Sequence, residues 1–295
     1  MNSYKYYVAD VFTDDKYKGN PLAVVMTDSD LDLITYQNIS REFGYSETSF
    51  IYYSKMDKAL KVRSFTPTGF EVNGAGHNLL GAVCVALLVK LEIFHEQGRS
   101  TFVMMKDELT ELEIRYSEEN LPFIGMRQSP AEILSSVPPK VLSKALNLDE
   151  VLILTAGLYP VVVKTEVAHL MVPLKNVQVL NSIVPDKKLL IQASEEFGFE
   201  GVYCFTIPDN DPNNLAHARF FNPGIGIDED PATGSAAGPL AGLLFHQNYI
   251  KQGIVYNLLQ GEKLSRPSAI QFEVKPDSIW VSGSSVIVME GTLYT

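Results

Sequence analysis

The chain has 295 residues, of which 46% are hydrophobic and 20% charged, and its formal net charge at pH 7 is −11. At about one domain per 150 residues this length suggests two domains, and the apolar content suffices for a full core. The negative charge repels polyanions, which argues against nucleic acid and anionic membranes as partners.

Strand patterns dominate the first half of the chain. Aromatic and β-branched residues predict strands at residues 6–12, 22–26, 49–53 and 60–66. Between the second and third of these, apolar residues at helical spacing predict a helix over residues 30–43, with Ser29 or Asp30 as its cap.

The pattern breaks at residues 117–128, and we place a domain boundary there. Residues 1–120 then form an N-terminal domain and residues 121–283 a C-terminal domain. In the second half, the same signals predict strands at residues 151–154, 168–172 and 201–207, a helix over residues 186–197 and a surface loop at residues 209–214.

Two segments are apolar on every face, and each follows a turn that contains glycine. The first comes after Gly74, Gly76 and His77, and the second begins at Ser235 after Gly234. A helix without a polar face must be enclosed by the rest of its domain. Each half of the chain therefore combines β-rich sequence with one enclosed helix, which is typical of two similar domains.

The chain has two cysteines, Cys84 and Cys204, and both lie in apolar sequence. We predict buried, reduced thiols rather than a disulfide, as is usual in the cytoplasm. The first residues lack the basic and then apolar pattern of a signal peptide, and the apolar run after Leu79 is too short to span a bilayer. We therefore expect a soluble, cytoplasmic protein.

The two glycine turns have a chemical implication. Where glycines enter a helix, backbone N–H groups point at a ligand, and the helix N-terminus adds roughly half a positive charge. Two such ends facing one cleft would bind a carboxylate and stabilise the enolate-like charge that follows proton removal. The turns at Gly76-His77 and Gly234-Ser235 are the candidates.

Each candidate residue also has an ordinary structural explanation. Glu47 precedes an apolar strand and suits an exposed loop, and His77 suits a helix cap. Asp230 before Pro231 suits a turn, and Ser235 suits a helix start. Taken one by one, these residues leave the function open.

Taken in order, they resemble a known family. The segments that carry the resemblance are residues 10–13 with 19–25, 46–50 (Ser-Glu-Thr-Ser-Phe), 63–67 with Gly76-His77, 220–227, 229–236 (Glu-Asp-Pro-Ala-Thr-Gly-Ser-Ala), and Gln260-Gly261 with 266–268. Together they resemble the PhzF-like phenazine-biosynthesis family of the diaminopimelate-epimerase-like superfamily, nearly from end to end.

This resemblance implies an α+β fold of two similar domains, each a twisted, barrel-like sheet around a central apolar helix, with the active site between them. The final strand, about residues 284–295, would return to the first domain. The implied activity is a cofactor-free isomerisation that moves a proton on a small carboxylate-bearing substrate, and members are commonly homodimers.

The resemblance also implies roles for individual residues. Glu47 would be the general acid and base. The other implied site residues are His77, Asp230 and Ser235, which orient substrate and assist proton transfer, and Asn20, Gly76, Thr233 and Gly234, which bind it. We therefore expect Glu47 to lie in a cleft with His77 and Asp230.

The chain departs from its thiol-dependent relatives at one point. Diaminopimelate and proline-type epimerases use one cysteine from each domain, and this chain has Ala75 where the first would lie. Because Cys84 and Cys204 fall outside the matching motifs, a two-thiol racemase is disfavoured. The segment Asn78-Leu79-Leu80 also replaces the small or hydroxyl residues often found after the family's histidine.

Two other functions stay open. One is an epimerase that uses Glu47 with another acid, and the other is a non-catalytic protein that binds small acids. The five histidines are scattered without a metal-binding spacing, and no dinucleotide or phosphate-loop motif is present. We therefore predict a protein without metal or cofactor.

Overall fold

The computed structural model describes residues 3–72, 74–91, 100–106, 108–117, 121–153 and 157–295. The chain divides into two compact units, the first made of Met1–Arg127 and Ser282–Thr295 and the second of Gln128–Val281. The first unit extends past residue 120, where the sequence suggested its end, because the next strand pairs with the preceding one as a hairpin.

The elements of the first unit are mostly strands. Its α-helices are α1 (Leu33–Phe43) and α2 (His77–Leu88). Its strands are β1 (Ser3–Val11), β2 (Asn20–Met26), β3 (Thr48–Ser54), β4 (Ala59–Phe65), β5 (Glu71–Val72), β6 (Ser100–Met105), β7 (Glu108–Tyr116) and β8 (Pro122–Gln128).

The second unit contains more helix. Its α-helices are α3 (Pro139–Leu146), α4 (Val177–Ser182), α5 (Lys187–Phe197) and α6 (Gly234–His246). Its strands are β9 (Glu132–Ser136), β10 (Val161–Lys164), β11 (Ala168–Pro173), β12 (Gly201–Thr206), β13 (Ala216–Asn222), β14 (Ile227–Asp230), β15 (Val255–Gln260) and β16 (Ser268–Lys275). The last strand, β17 (Ser278–Tyr294), begins in this unit and ends in the first.

The strands of the first unit close into a barrel around α2. In order around the barrel they are β17, β1, β2, β3, β4, β6, β7 and β8, and β8 pairs with β17 again. Helix α2 is buried from His77 through Ala86. A Cβ added at Gly81 would lie 2.6 Å from side-chain atoms of Leu22 and Val11. This glycine therefore lets α2 pack directly on β1 and β2.

The second unit surrounds α6 in the same manner. The order β9, β10, β11, β12, β13, β15, β16 has the same succession of parallel and antiparallel pairs as the order β17, β1, β2, β3, β4, β6, β7. A Cβ at Gly242 would lie 2.1 Å from Cβ of Ala131, so α6 also packs closely on its sheet. The predicted fold class, two similar domains each with a sheet around an apolar helix, is confirmed.

A sequence echo accompanies this repeated topology. Helices α1 and α5 occupy equivalent places, and each ends in Phe followed by a left-handed glycine, Gly44 with φ 67° and Gly198 with φ 72°. A glutamate then directly precedes the next strand, Glu47 before β3 and Glu200 before β12. The repeat is visible only once the strands are aligned.

Most predicted elements are found, but the strand predicted at residues 151–154 and the predicted start and cap of α1 were wrong. The apolar run at residues 151–153 does not form a strand, because the N–H groups of Leu152 and Ile153 donate to Asp149 and Glu150 in a 3-10 turn. Leu154 lies outside the described residues. Helix α1 starts later than expected and is capped by Asp32, which accepts from the N–H of Thr35 at 3.0 Å.

None of the helices in the described ranges is long and apolar enough to cross a membrane.

Two buried histidines predict acid sensitivity. Burial lowers the pKa of His77 to about 3 and that of His169 to about 4. An unfolded histidine titrates near 6.5, so below that pH the unfolded state binds more protons and stability falls toward the folded pKa values. Between pH 7 and pH 5, each of these histidines should lower the free energy of unfolding by about 2 kcal/mol.

The variant His169→Leu tests this expectation. Urea unfolding at the two pH values should show an acid-induced loss about 2 kcal/mol smaller than in wild type. The variant His246→Gln, which changes an exposed histidine, serves as control and should keep the wild-type loss. An unchanged loss in His169→Leu would show that His169 does not contribute to it.

Candidate active site

Glu47 and His77 meet inside the first unit. Glu47 is the residue before β3, His77 opens α2, and the two residues are 7% and 3% exposed. Glu47 Oε2 lies 3.8 Å from His77 Nε2. Because burial lowers the pKa of His77 to about 3, the ring is neutral near pH 7 and the contact is not an ion pair. The structure thus brings together two residues that the sequence analysis expected to be neighbours.

Ser46 and Asn20 extend this contact. The Ser46 hydroxyl donates to Asn20 Oδ1 at 3.4 Å, and Ser46 Oγ lies 3.4 Å from His77 Nε2. Ser46 Oγ therefore bridges Asn20 and His77, and its single proton can serve only one of them at a time. Asn20 is fully buried at the start of β2, so it anchors this group to the barrel.

The glycine turn before α2 is held by Asn78. Its Oδ1 accepts from the N–H groups of Gly76 and Leu79, both at 2.8 Å, and its Nδ2 donates to Gly74 O at 3.2 Å. The N–H of Gly76 is thus engaged within the turn. The helix itself offers no acceptor to the N–H groups of His77 and Asn78. An anion at this helix end would meet those two groups rather than Gly76.

A second polar turn precedes α6 in the second unit. Asp230 ends β14 with 3% exposure, and the Thr233 hydroxyl donates to its Oδ2 at 2.6 Å. Thr233 O accepts from the N–H groups of the third and fourth helix residues. The helix offers no acceptor to the N–H groups of Gly234 and Ser235, which leaves them for a ligand or for capping.

Gln260 supports this turn and was not among the predicted site residues. Its buried side chain at the end of β15 contacts Asp230, Thr233 and Tyr203. The sequence held one signal for it, the Gln260-Gly261 motif of the family resemblance. This motif suggested no role for Gln260, because the residues that its side chain contacts lie far away in the chain. Tyr203 had no signal beyond its place in a predicted strand.

The predicted site residues therefore form one group in each unit. Asn20, Glu47, Gly76 and His77 belong to the first unit, and Asp230, Thr233, Gly234 and Ser235 belong to the second. That both groups act on one substrate stays a prediction. Within the described ranges no three His, Cys, Asp or Glu side chains are grouped to hold a metal ion.

Neither thiol is suited to proton transfer. Both are fully buried, and burial raises the pKa of Cys84 to about 12 and that of Cys204 further. The thiolate, which is the reactive form, is therefore scarce at neutral pH. We expect the double variant Cys84→Ala, Cys204→Ala to keep wild-type turnover, and iodoacetamide to leave native protein unmodified. Loss of turnover with the fold intact would favour a thiol-dependent racemase.

Comparison with known proteins bears on this geometry. Residues 9–291 match the family described as "Phenazine biosynthesis-like protein". An uncharacterized isomerase of Clostridium acetobutylicum is 30% identical over 308 aligned positions, which cover 99% of each chain. The trans-2,3-dihydro-3-hydroxyanthranilate isomerase of Pseudomonas aeruginosa is 30% identical over 302 positions, again with 99% of each chain covered.

A solved structure shows the same fold. The phenazine biosynthesis protein of the PhzF family from Bacillus anthracis superposes with a TM-score of 0.88 at 24% identity, and all of both chains is covered. The resemblance inferred from the motifs is thereby confirmed. The chain belongs to the phenazine biosynthesis-like, or PhzF, family, and it is an isomerase.

Proposed function

We propose that the protein is a cofactor-free isomerase in which Glu47 moves a proton on a small carboxylate-bearing substrate. The observation that carries the proposal is the contact of Glu47 with His77, at 3.8 Å, inside the barrel of the first unit. A buried carboxyl group beside a histidine suits acid and base catalysis better than an exposed loop glutamate does.

The neutral state of His77 favours this role. A carboxylate paired with a fixed cation must break an ion pair to become protonated, which opposes its use as a base. Burial keeps the His77 ring neutral at physiological pH, so its contact with Glu47 sets no such barrier. A neutral imidazole can orient a substrate oxygen by donating a hydrogen bond from the nitrogen that carries its proton.

The proposed reaction is balanced without any further reagent. Glu47 as carboxylate accepts a proton from a carbon that lies between the substrate's carboxylate and a carbon–carbon double bond, and the electron pair spreads over both groups. The protonated Glu47 then returns the proton to a different carbon, and the double bond moves. Glu47 and the substrate's total composition are unchanged at the end.

The helix starts supply the binding part of the proposal. The N–H groups of His77 and Asn78 lack helical acceptors, as do those of Gly234 and Ser235, and a helix N-terminus favours an anion. We propose that these groups hold the carboxylate and the developing negative charge. Asp230 and Ser235 would orient the same substrate, with Asn20 and Thr233 supporting them.

Solvent exchange tests this proposal. Protein treated with a chelator is incubated in D₂O with trans-2,3-dihydro-3-hydroxyanthranilate and a panel of small amino and hydroxy acids, and products are followed by proton NMR. We expect the double bond of at least one acid to move, with deuterium at the new carbon to the extent that the proton held by Glu47 exchanges with solvent. Exchange with inversion at a single carbon would indicate an epimerase, and binding without exchange would indicate a non-catalytic binding protein.

Two further properties belong to this proposal. The family resemblance supports a homodimer, and a mass of a single chain in light scattering would contradict it. The two buried thiols suit a reducing compartment, which supports a cytoplasmic location. Fractionation of cells that express the protein would test the location.

A further inference from the structure

The amide of Gln260 is the centre of a buried hydrogen-bond network in the second unit. The side chain is 1% exposed. Its Nε2 donates to Asp230 O at 2.8 Å and to Thr233 Oγ1 at 3.0 Å. Its Oε1 accepts from the N–H of Thr233 at 3.2 Å and from the Tyr203 hydroxyl at 2.8 Å. All of the amide's hydrogen-bonding capacity is therefore used.

The orientation of this amide is determined by two backbone groups. The N–H of Thr233 can only donate, so the atom that faces it must be Oε1. The carbonyl of Asp230 can only accept, so the atom that faces it must be Nε2. A flipped amide would set two donors against each other and two acceptors against each other. One arrangement alone satisfies both contacts.

This orientation determines the direction of the Thr233 hydroxyl. Thr233 Oγ1 accepts from Gln260 Nε2, so its own proton points elsewhere, toward Asp230 Oδ2 at 2.6 Å. Tyr203 acts at the other end of the network. Burial and the nearby charge of Asp230 raise the pKa of its phenol well above 10, so it stays protonated and donates to Gln260. The three side-chain donors, Tyr203 Oη, Gln260 Nε2 and Thr233 Oγ1, thus point in one direction, from Tyr203 toward Asp230.

We propose that Gln260 is a positioning residue of the isomerase, which keeps the Thr233 hydroxyl donating to Asp230 and so keeps Asp230 an oriented hydrogen-bond acceptor. This inference rests on the proposed role of Asp230 in substrate orientation. An acceptor with a fixed direction orients a substrate without reorganisation during the reaction. Gln260 acts on the reaction only through Thr233 and Asp230.

Two substitutions distinguish the hydrogen-bond donor of the Gln260 amide from its acceptor. Gln260→Met has nearly the same length and can neither donate nor accept strongly. Gln260→Glu keeps an acceptor toward Thr233 N–H and Tyr203, and its introduced carboxyl group can donate from the other oxygen only while it is protonated. Gln271→Glu, on the neighbouring strand β16, makes the same charge change at a half-buried position and serves as control.

The experiment measures kcat and KM for the acid of the panel that wild type exchanges fastest, at about pH 6 and about pH 9, where a buried carboxyl group changes state. His217 on β13 faces Asp211 and Glu262 near this strand end, so each variant is compared with wild type at the same pH. Thermal unfolding of each variant confirms that it folds.

We expect Gln260→Met to lose about 10–100-fold in kcat at both pH values. Gln260→Glu should be close to wild type at the lower pH and should approach Gln260→Met at the higher, while Gln271→Glu follows wild type. A structural role alone would not give this pH-dependent recovery. The proposal is overturned if the ratio of Gln260→Glu kcat to wild-type kcat is the same at both pH values. It is also overturned if Gln260→Met keeps wild-type kcat.

The variant Asp230→Asn distinguishes failure of the proposed function from failure of the positioning role of Gln260. If Asp230→Asn keeps wild-type kcat, or if no acid of the panel is exchanged, the proposed function fails and this inference fails with it. If Asp230→Asn loses activity while Gln260→Met does not, only the positioning role of Gln260 is wrong.

Discussion

Replacing Glu47 with glutamine is expected to lower kcat for proton exchange by about 10²–10⁴-fold, the usual contribution of a positioned acid or base. The effect reaches the upper end of this range if one group performs both transfers. The amide is nearly isosteric and still forms hydrogen bonds, so substrate affinity measured by calorimetry should change by less than about threefold. The loss would then lie in the chemical step rather than in binding.

Glu42→Gln is the matched control for this prediction. It removes the same charge from an exposed glutamate of helix α1 in the same unit, and it should leave kcat unchanged. If Glu47→Gln exchanges deuterium as fast as wild type, Glu47 is not the base, and Asp230 becomes the next candidate. If affinity and kcat fall together, the variant has disturbed the site as a whole.

Replacing Gly261 with alanine is expected to cost about 3 kcal/mol or more of unfolding free energy. Gly261 has φ 84°, which L residues rarely adopt, and a Cβ there would lie 2.3 Å from Arg266 O and 2.6 Å from Pro231 O. Both are backbone atoms that cannot move without displacing their segments. One of these segments follows Asp230 directly, so the site should be disturbed along with the fold.

Gly253→Ala separates the two causes of this loss. Gly253 has a similar φ of 76°, and a Cβ there would meet nothing within 4 Å. It should cost only about 1 kcal/mol, the conformational part of the penalty. Chemical denaturation of both variants makes the comparison. Equal losses would mean that close approach at Gly261 does not matter.

The sequence predicted best where local pattern decides the structure. Helices α2 and α6 were expected to be enclosed because no face of either is polar, and their buried residues surround the whole helix. Helix α5 was also predicted, and the structure adds that Asp186 caps it, since its side chain accepts from N–H groups of the first turn. Strands β1 to β4, β11 and β12 were predicted from their β-branched and aromatic residues, whereas β6 to β10 and β13 to β16 were not predicted.

Prediction from the sequence failed where an apolar segment forms a turn instead of a strand. The run near residue 151 is apolar like a buried strand, but its backbone N–H groups donate locally in a 3-10 turn. Val151 is 72% exposed while Ile153 is buried, although both would lie on one face of a strand. The start of α1 was misplaced for a related reason. Asp30 appeared to be a cap, but it accepts from the Tyr36 hydroxyl and from Arg63 instead. Such choices among nearby acidic residues depend on tertiary contacts.

The supporting residues of the site depend on strand register, which no local pattern contains. Tyr203 and Gln260 lie on β12 and β15, and they come together because both strands pair with β13. The engagement of Gly76 by Asn78 depends on one side-chain rotamer within the turn. The motifs therefore indicated which segments matter, and the structure shows how their side chains are held.

The most direct test of Glu47 as the proton carrier follows deuterium placed on the substrate itself. The acid identified by the panel is deuterated at the reacting carbon and incubated in H₂O with wild type and with Glu47→Gln under single-turnover conditions. We expect wild type to remove the label from that carbon within the time of product formation, and Glu47→Gln to leave it in place although the acid is bound. Removal of the label by Glu47→Gln at the wild-type rate would contradict the assignment of Glu47 as the proton carrier.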